Sequence, residues 1–187
     1  MDLFEKFMSL DIDRESINLE NGTLDEPYFC YPENASVIGF EGSILYCTIK
    51  EEGETVFASN PETCADECVY PLAKNFEDFM RMVIACGSPN PIEQIIWMSR
   101  EQFDKQVAEV HENMSKEAKA AIETIKRELN IEPVENIYDY VKEIQKDFDL
   151  SGIKFSDEYY EICGENPSEC EFDTERPSMP ADIEEYN

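Results

Sequence analysis

The chain has 187 residues, 43 of them acidic and 15 basic, for a formal net charge of −28. The length suits one domain, and an apolar fraction of 42% supports a packed core. That charge repels nucleic-acid phosphates and anionic lipid surfaces, and no apolar run approaches the ~20 residues that span a bilayer, so a macromolecular partner is expected to be a basic protein.

Residues 1–10 place Leu3, Phe4, Phe7, Met8 and Leu10 at the spacing of a short amphipathic helix. An acidic stretch to Glu26 follows, with a turn at Asn21-Gly22 and with Ile17 and Leu19 as core contacts. Residues 28–59 read as the sheet. Tyr28-Phe29-Cys30-Tyr31 is aromatic and β-prone; residues 36–40 and 43–49 flank Glu41-Gly42; Glu51-Glu52-Gly53-Glu54 is a turn into residues 55–58. Short strands joined by tight polar turns imply antiparallel neighbours.

Residues 75–150 read as helical. Asn75 is an N-cap, Phe76, Phe79, Met80, Val83 and Ile84 form one stripe, and Gly87 and Pro89 end the helix. Asn90-Pro91 starts a segment carrying Ile92, Ile95, Ile96 and the only tryptophan, Trp97. Ser99 with Gln102 matches a capping box, Ser115 restarts a helix, and Pro133 suits the first turn of the last one, whose stripe runs from Val134 to Phe148. The expectation is a single α+β domain over residues 1–155. A tail over 156–187 follows, with eleven acids, read as mostly irregular and anchored at its start by Tyr159, Tyr160 and Ile162.

Constellations that carry chemistry are sparse. Cys64 and Cys68 have a C-x3-C spacing that can supply two thiolates to zinc, with Cys163, Cys170 or His111 as the remaining donors, but no knuckle spacing repeats. Acidic neighbours disfavour the thiolate, so these read as loop cysteines. The count of seven cysteines is odd. With no basic-then-apolar leader, it fits reduced thiols in a cytoplasmic protein. His111 stands alone on a polar helix; no nucleophile triad, phosphate loop or EF-hand pattern is present. No cofactor and no catalytic residue are assigned. The acids Glu62, Asp66 and Glu67 and the indole of Trp97 are the candidate partner-binding residues. Trp97 after two isoleucines reads first as a core plug and second as an exposed anchor.

The run from Ile44 to Leu72, with Val69-Tyr70-Pro71-Leu72-Ala73 followed by Phe76-Glu77-Asp78-Phe79-Met80, resembles the later half of the SUKH superfamily; the likeness covers residues 44–87. Asn21-Gly22 stands where that family has an Asn-Gly turn after its opening helix, and the helices beyond Ser99 are an addition to its compact domain. The resemblance implies a bacterial binding module similar to immunity proteins that neutralise a toxin, often a nuclease, with no shared catalytic residues. An acidic inhibitor of a basic toxin gains on-rate from electrostatic steering. The alternatives are a small enzyme with a carboxylate-based site assembled from distant residues and a zinc-stabilised domain.

Overall fold

A computed structural model of the protein describes residues 2–63 and 67–163. Four strands form an antiparallel meander in the order β1 (Ala35–Glu41), β2 (Ile44–Ile49), β3 (Val56–Ser59) and β4 (Val69–Ala73). Helices α1 (Leu3–Met8), α2 (Phe76–Cys86), α3 (Asn90–Glu93), α4 (Arg100–Asn113), α5 (Lys116–Leu129), α6 (Ile137–Gln145) and α7 (Asp157–Cys163) complete an α+β fold. Among the described residues no helix is long and apolar enough to cross a membrane.

Two sequence expectations for the sheet change. Tyr28–Tyr31 is a turn, closed by the Tyr31 N–H donating to the Tyr28 carbonyl at 2.9 Å, so the sheet begins at Ala35. The segment 69–73 is its fourth strand. Proline removes a ladder donor, which disguises a strand in sequence, but it is tolerated at a sheet edge. Pro71 lies on that edge, paired with Phe57 on one side only.

Alternation along the strands buries both faces of the sheet. Tyr46, Val56, Ala58, Tyr70 and Leu72 face the large cluster built with α1, α2, α3 and α5. Leu45, Cys47, Ile49, Phe57 and Val69 face a second cluster with Cys30, Tyr31, Ile153, Phe155 and Tyr159. The tail, expected to be mostly irregular with its start anchored by Tyr159, Tyr160 and Ile162, opens with a helix. Tyr159 of α7 is fully buried and stacks on Phe155 at 4.0 Å, while Tyr160 and Ile162 stay exposed. Full burial of one such aromatic contributes about 1.5–3 kcal/mol. The Glu33 N–H donating to the Lys154 carbonyl at 2.8 Å ties this layer to the loop before β1.

The helix ends follow their caps. The Asn75 amide oxygen accepts from the Asp78 N–H at 2.8 Å, and Gly87, at φ +84°, closes α2. A Cβ on Gly87 would stand 2.2 Å from Met114 Cε. The reciprocal Ser99–Gln102 box starts α4, and Ser115 caps α5. The last long helix differs from expectation. It starts at Ile137 after a left-handed Asn136, four residues beyond Pro133, with no side-chain cap.

The free edge of β1 is closed by a cation. Glu20 and Phe40 exchange both backbone hydrogen bonds there. Beside them Arg14, only 5% exposed, donates to the carbonyls of Leu19 (2.9 Å) and Ile38 and to the Asn21 side chain (2.6 Å), with its guanidinium over the Phe7 ring at 4.6 Å. Ile38 sits at a bulge in β1, where its carbonyl is open to this contact. Gly39 leaves room for the arginine, since a Cβ there would lie 2.9 Å from Nη2. Burial lowers the Arg14 pKa to about 10, which still leaves it charged at neutral pH.

The thiols of Cys47 and Cys86 are buried on opposite faces of the sheet, and burial pushes both up to about 12. Alkylation requires the thiolate. Iodoacetamide at pH 8 is therefore expected to leave Cys47 and Cys86 unlabelled in the native chain and to label both in urea, read by peptide mass spectrometry. Native labelling of Cys47 would mean that the layer carrying α7 opens.

Candidate functional site

The end of the sheet formed by Ser59 and Val69 is organised by a buried acid. Glu93 of α3 has 0% exposure, yet no cation touches it among the described residues. Its Oε1 accepts from the Asn60 amide at 3.0 Å and from the Tyr70 hydroxyl, and its Oε2 accepts from the Gln94 amide. Burial first, then the charge of Glu93, pushes the Tyr70 hydroxyl far above its ordinary range, so it stays a donor. Both carboxylate oxygens are occupied, and the three donors come from the end of β3, from β4 and from the residue after α3. Glu93 thereby works as a strut between sheet and helices.

A second acid, Glu41, lies on the same side of the sheet. It accepts from the Tyr46 hydroxyl at 2.7 Å and the Asn18 amide at 3.0 Å. Burial raises its pKa, and the charge of Glu93 adds to the rise. The pair Glu41–Tyr46 is what a carboxylate-based enzyme would use, but neither cleft described below is lined by Glu41 or Glu93.

From the strut the chain turns into Trp97. Its indole is 42% exposed, so it does not plug the core. The short turn Gln94–Ile96 carries it outward while Ile92 and Ile95 fill the interior instead. The ring packs edge-on against Tyr70, with centroids 5.4 Å apart at 82°. Its N–H donates to Glu67 Oε2 at 3.4 Å. The backbone around it is clamped from α6: Lys142 Nζ donates to the Ile96 carbonyl at 2.9 Å and the Tyr138 hydroxyl to that of Met98 at 2.8 Å. The indole is thus exposed but held.

Beside it runs a crevice of about 140 Å³, lined by Glu67, Tyr70, Pro71, Ile96, Gln145 and Phe148 among others. Gln145 Nε2 donates to the Pro71 carbonyl at 3.1 Å, filling the edge of β4, while its Oε1 is buried with no donor among the described residues. At the other end of the sheet lies a wider cleft of about 660 Å³, rimmed by Asp2, Glu54, Glu77 and Asp78 over Phe4 and Phe76. Asp78 is held there by the Tyr140 hydroxyl at 2.9 Å.

No protein-family model, curated protein or solved structure matches the chain.

Of the residues singled out in sequence, Glu67 and Trp97 come together. Glu62 is exposed nearby in the chain, accepting from the Ser43 hydroxyl at 3.3 Å, and Asp66, like Cys64, lies outside the described residues. Cys68 is buried, and among the described residues no group of three or more His, Cys, Asp and Glu is placed to hold a metal. His111 is exposed and bonded through Nε2 to the Ala85 carbonyl at 2.8 Å. Glu93 and Gln145 were not singled out. The one acid among Pro91, Ile92, Ile95 and Ile96 was the available signal for Glu93; nothing in sequence marks Gln145.

Replacing Tyr70 by Phe leaves a buried carboxylate short of a donor. Tyr70→Phe is expected to lower unfolding free energy by about 1–3 kcal/mol, measured by urea denaturation. Glu41 gives a pH signature. Its folded pKa lies above the ordinary 4.5, so the folded state keeps a proton that the unfolded chain has released. Stability from this group is thus lost as pH rises from about 4.5 through the raised value. Glu41→Gln is expected to gain stability relative to the parent across that window and to run parallel to it above, in urea melts taken across pH.

Proposed function

We propose that this chain is a non-enzymatic, acidic protein-binding module for a basic partner, of the cytoplasmic bacterial toxin-immunity kind that the SUKH resemblance implies. The observation that carries the reading is Trp97, an exposed aromatic that the fold holds still. An anchor that is already ordered loses little conformational freedom on binding, and tryptophan is among the residues that dominate interface energetics. Glu67 sets a carboxylate against its N–H, and two nearby cations are already committed. Lys142 is bonded to a carbonyl and Arg100 is paired with Asp139. A basic surface therefore meets unpaired acid around an apolar centre.

Charge supplies the approach. The ion pairs among the described residues lie at the surface and leave the large acid excess in place. Field of that size raises the association rate of a cationic protein and is screened within about 10 Å at 0.1 M salt.

Affinity capture from the source cell, on the immobilised chain at low and at high salt, tests this. A basic protein is expected to be retained at low salt and to bind more slowly as salt rises. Trp97→Ala is expected to weaken it by about 2 kcal/mol, or 30-fold, in a titration with the purified partner. Recovery of no basic protein at any ionic strength would reject the proposal.

A further inference from the structure

Two thiols of the second cluster are placed against each other. Cys30 and Cys68 are each 1% exposed and lie in the layer that holds α7. Both are pinned to the end of β3. The Ser59 hydroxyl donates to the Cys30 carbonyl at 3.0 Å, and the Asn60 N–H donates to the Cys68 carbonyl at 2.8 Å. The two side chains meet there, with the Cys68 S–H donating to the Cys30 sulfur. The Tyr159 hydroxyl of α7 also meets the Cys68 thiol.

Packing alone would make the buried thiols alike, and they are not. Burial pushes Cys47 and Cys86 up. Cys30 moves the other way. The Cys68 S–H, the Ser59 hydroxyl and its own backbone N–H favour its thiolate, and together they outweigh burial. Cys68 moves up, through its bond to Cys30 first and burial second. One sulfur is set up as the nucleophile and its neighbour keeps the proton, which is the division of labour a dithiol needs to become a disulfide.

We propose that Cys30 and Cys68 are a reversible redox pair, closed by a hydroperoxide to a disulfide that straps the turn at Tyr28–Tyr31 to the start of β4. The Cys30 thiolate attacks one oxygen of hydrogen peroxide and the O–O bond breaks. Sulfenic acid forms on Cys30, and the departing hydroxide takes up the proton that the thiol released. The Cys68 sulfur then attacks the Cys30 sulfur and the S–O bond breaks. The hydroxyl leaves with the Cys68 proton as a second water. The two sulfurs give up two electrons and the peroxide accepts them. The oxidant is close to water in size and has a short way to go. Tyr28, two residues before Cys30, and Glu67, next to Cys68, are both exposed, so the pair lies near the surface of its layer. The ring that the bond closes contains β1, β2 and β3. A cross-link over that much chain restricts the unfolded state.

The full chain is reduced, freed of reductant and treated with hydrogen peroxide. Residual thiols are alkylated in urea, and the peptides are mapped without reduction by mass spectrometry. The expected product joins Cys30 to Cys68, is lighter by two hydrogens and returns to thiols in dithiothreitol. It is expected to form at least about tenfold faster than any oxidation of Cys47 or Cys86, whose protonated thiols are poor nucleophiles. Cys68→Ser is expected to leave Cys30 as a sulfenic acid that dimedone traps, and Cys30→Ser to leave Cys68 a thiol. Urea melts confirm that both variants fold, and the map of the parent chain depends on neither. The oxidised parent is expected to unfold at a higher urea midpoint than the reduced one. Three results would each overturn the assignment. They are a Cys30 and Cys68 that stay thiols while Cys47 or Cys86 is oxidised or the peroxide is spent on methionines, a disulfide from Cys68 to Cys64, Cys163 or Cys170 instead, and a lowered midpoint, which would mean that the native fold holds the two sulfurs out of bonding reach.

Discussion

A carboxylate with no exposure survives only if donors surround it, and in this protein the donors around Glu93 come from three separate places. Asn60 follows β3, Tyr70 belongs to β4 and Gln94 follows α3. The acid cannot be satisfied until the last two strands are paired and the helix that carries it has docked. One charged group therefore couples the sheet to the helical layer and fixes where the chain leaves α3. The exposed indole four residues later owes its position to that buried charge, and the clamp from α6 then takes over. Polar networks of this kind specify one arrangement because the partly formed alternatives leave a buried charge unpaired.

The other edge of the sheet holds a buried group of opposite sign. Arg14 is the buried cation, and its partners are carbonyl oxygens and an amide rather than a carboxylate. In a chain of net charge −28 this buried cation sits in a favourable field from the acids around it. The acid excess at the surface also steadies this inward-facing group. The sheet is then held at each edge by one buried ion, a cation beside β1 and an anion behind β4.

Much of this was legible in the residues. The caps Asn75, Ser99 and Ser115 act locally, through a side chain reaching the next turn, and so α2, α4 and α5 could be read before any fold was known. What escaped was decided by tertiary partners. Tyr28 to Tyr31 has strand composition, but no neighbouring strand is placed for it, and its aromatics serve the second cluster instead. Residues 69–73 carry a proline and still pair, because only one side of β4 faces a strand. Residues 157–163 sit in an acidic tail whose anchor, Tyr159, was legible, while its helical form was not. At the candidate site Glu67 and Trp97 were visible as residue types. Their meeting over Tyr70, and the empty acceptor of Gln145, depend on contacts across 30 and 74 positions of chain.

Pro71 has one more effect. Sheet rims are where identical molecules zip together, strand against strand, into fibrous aggregates. Here one rim lacks a donor at its proline and has its carbonyl filled by a glutamine, and the other is covered by residue 20 and a guanidinium. A molecule built this way resists self-association through its backbone even when crowded, and contacts between copies are left to side chains.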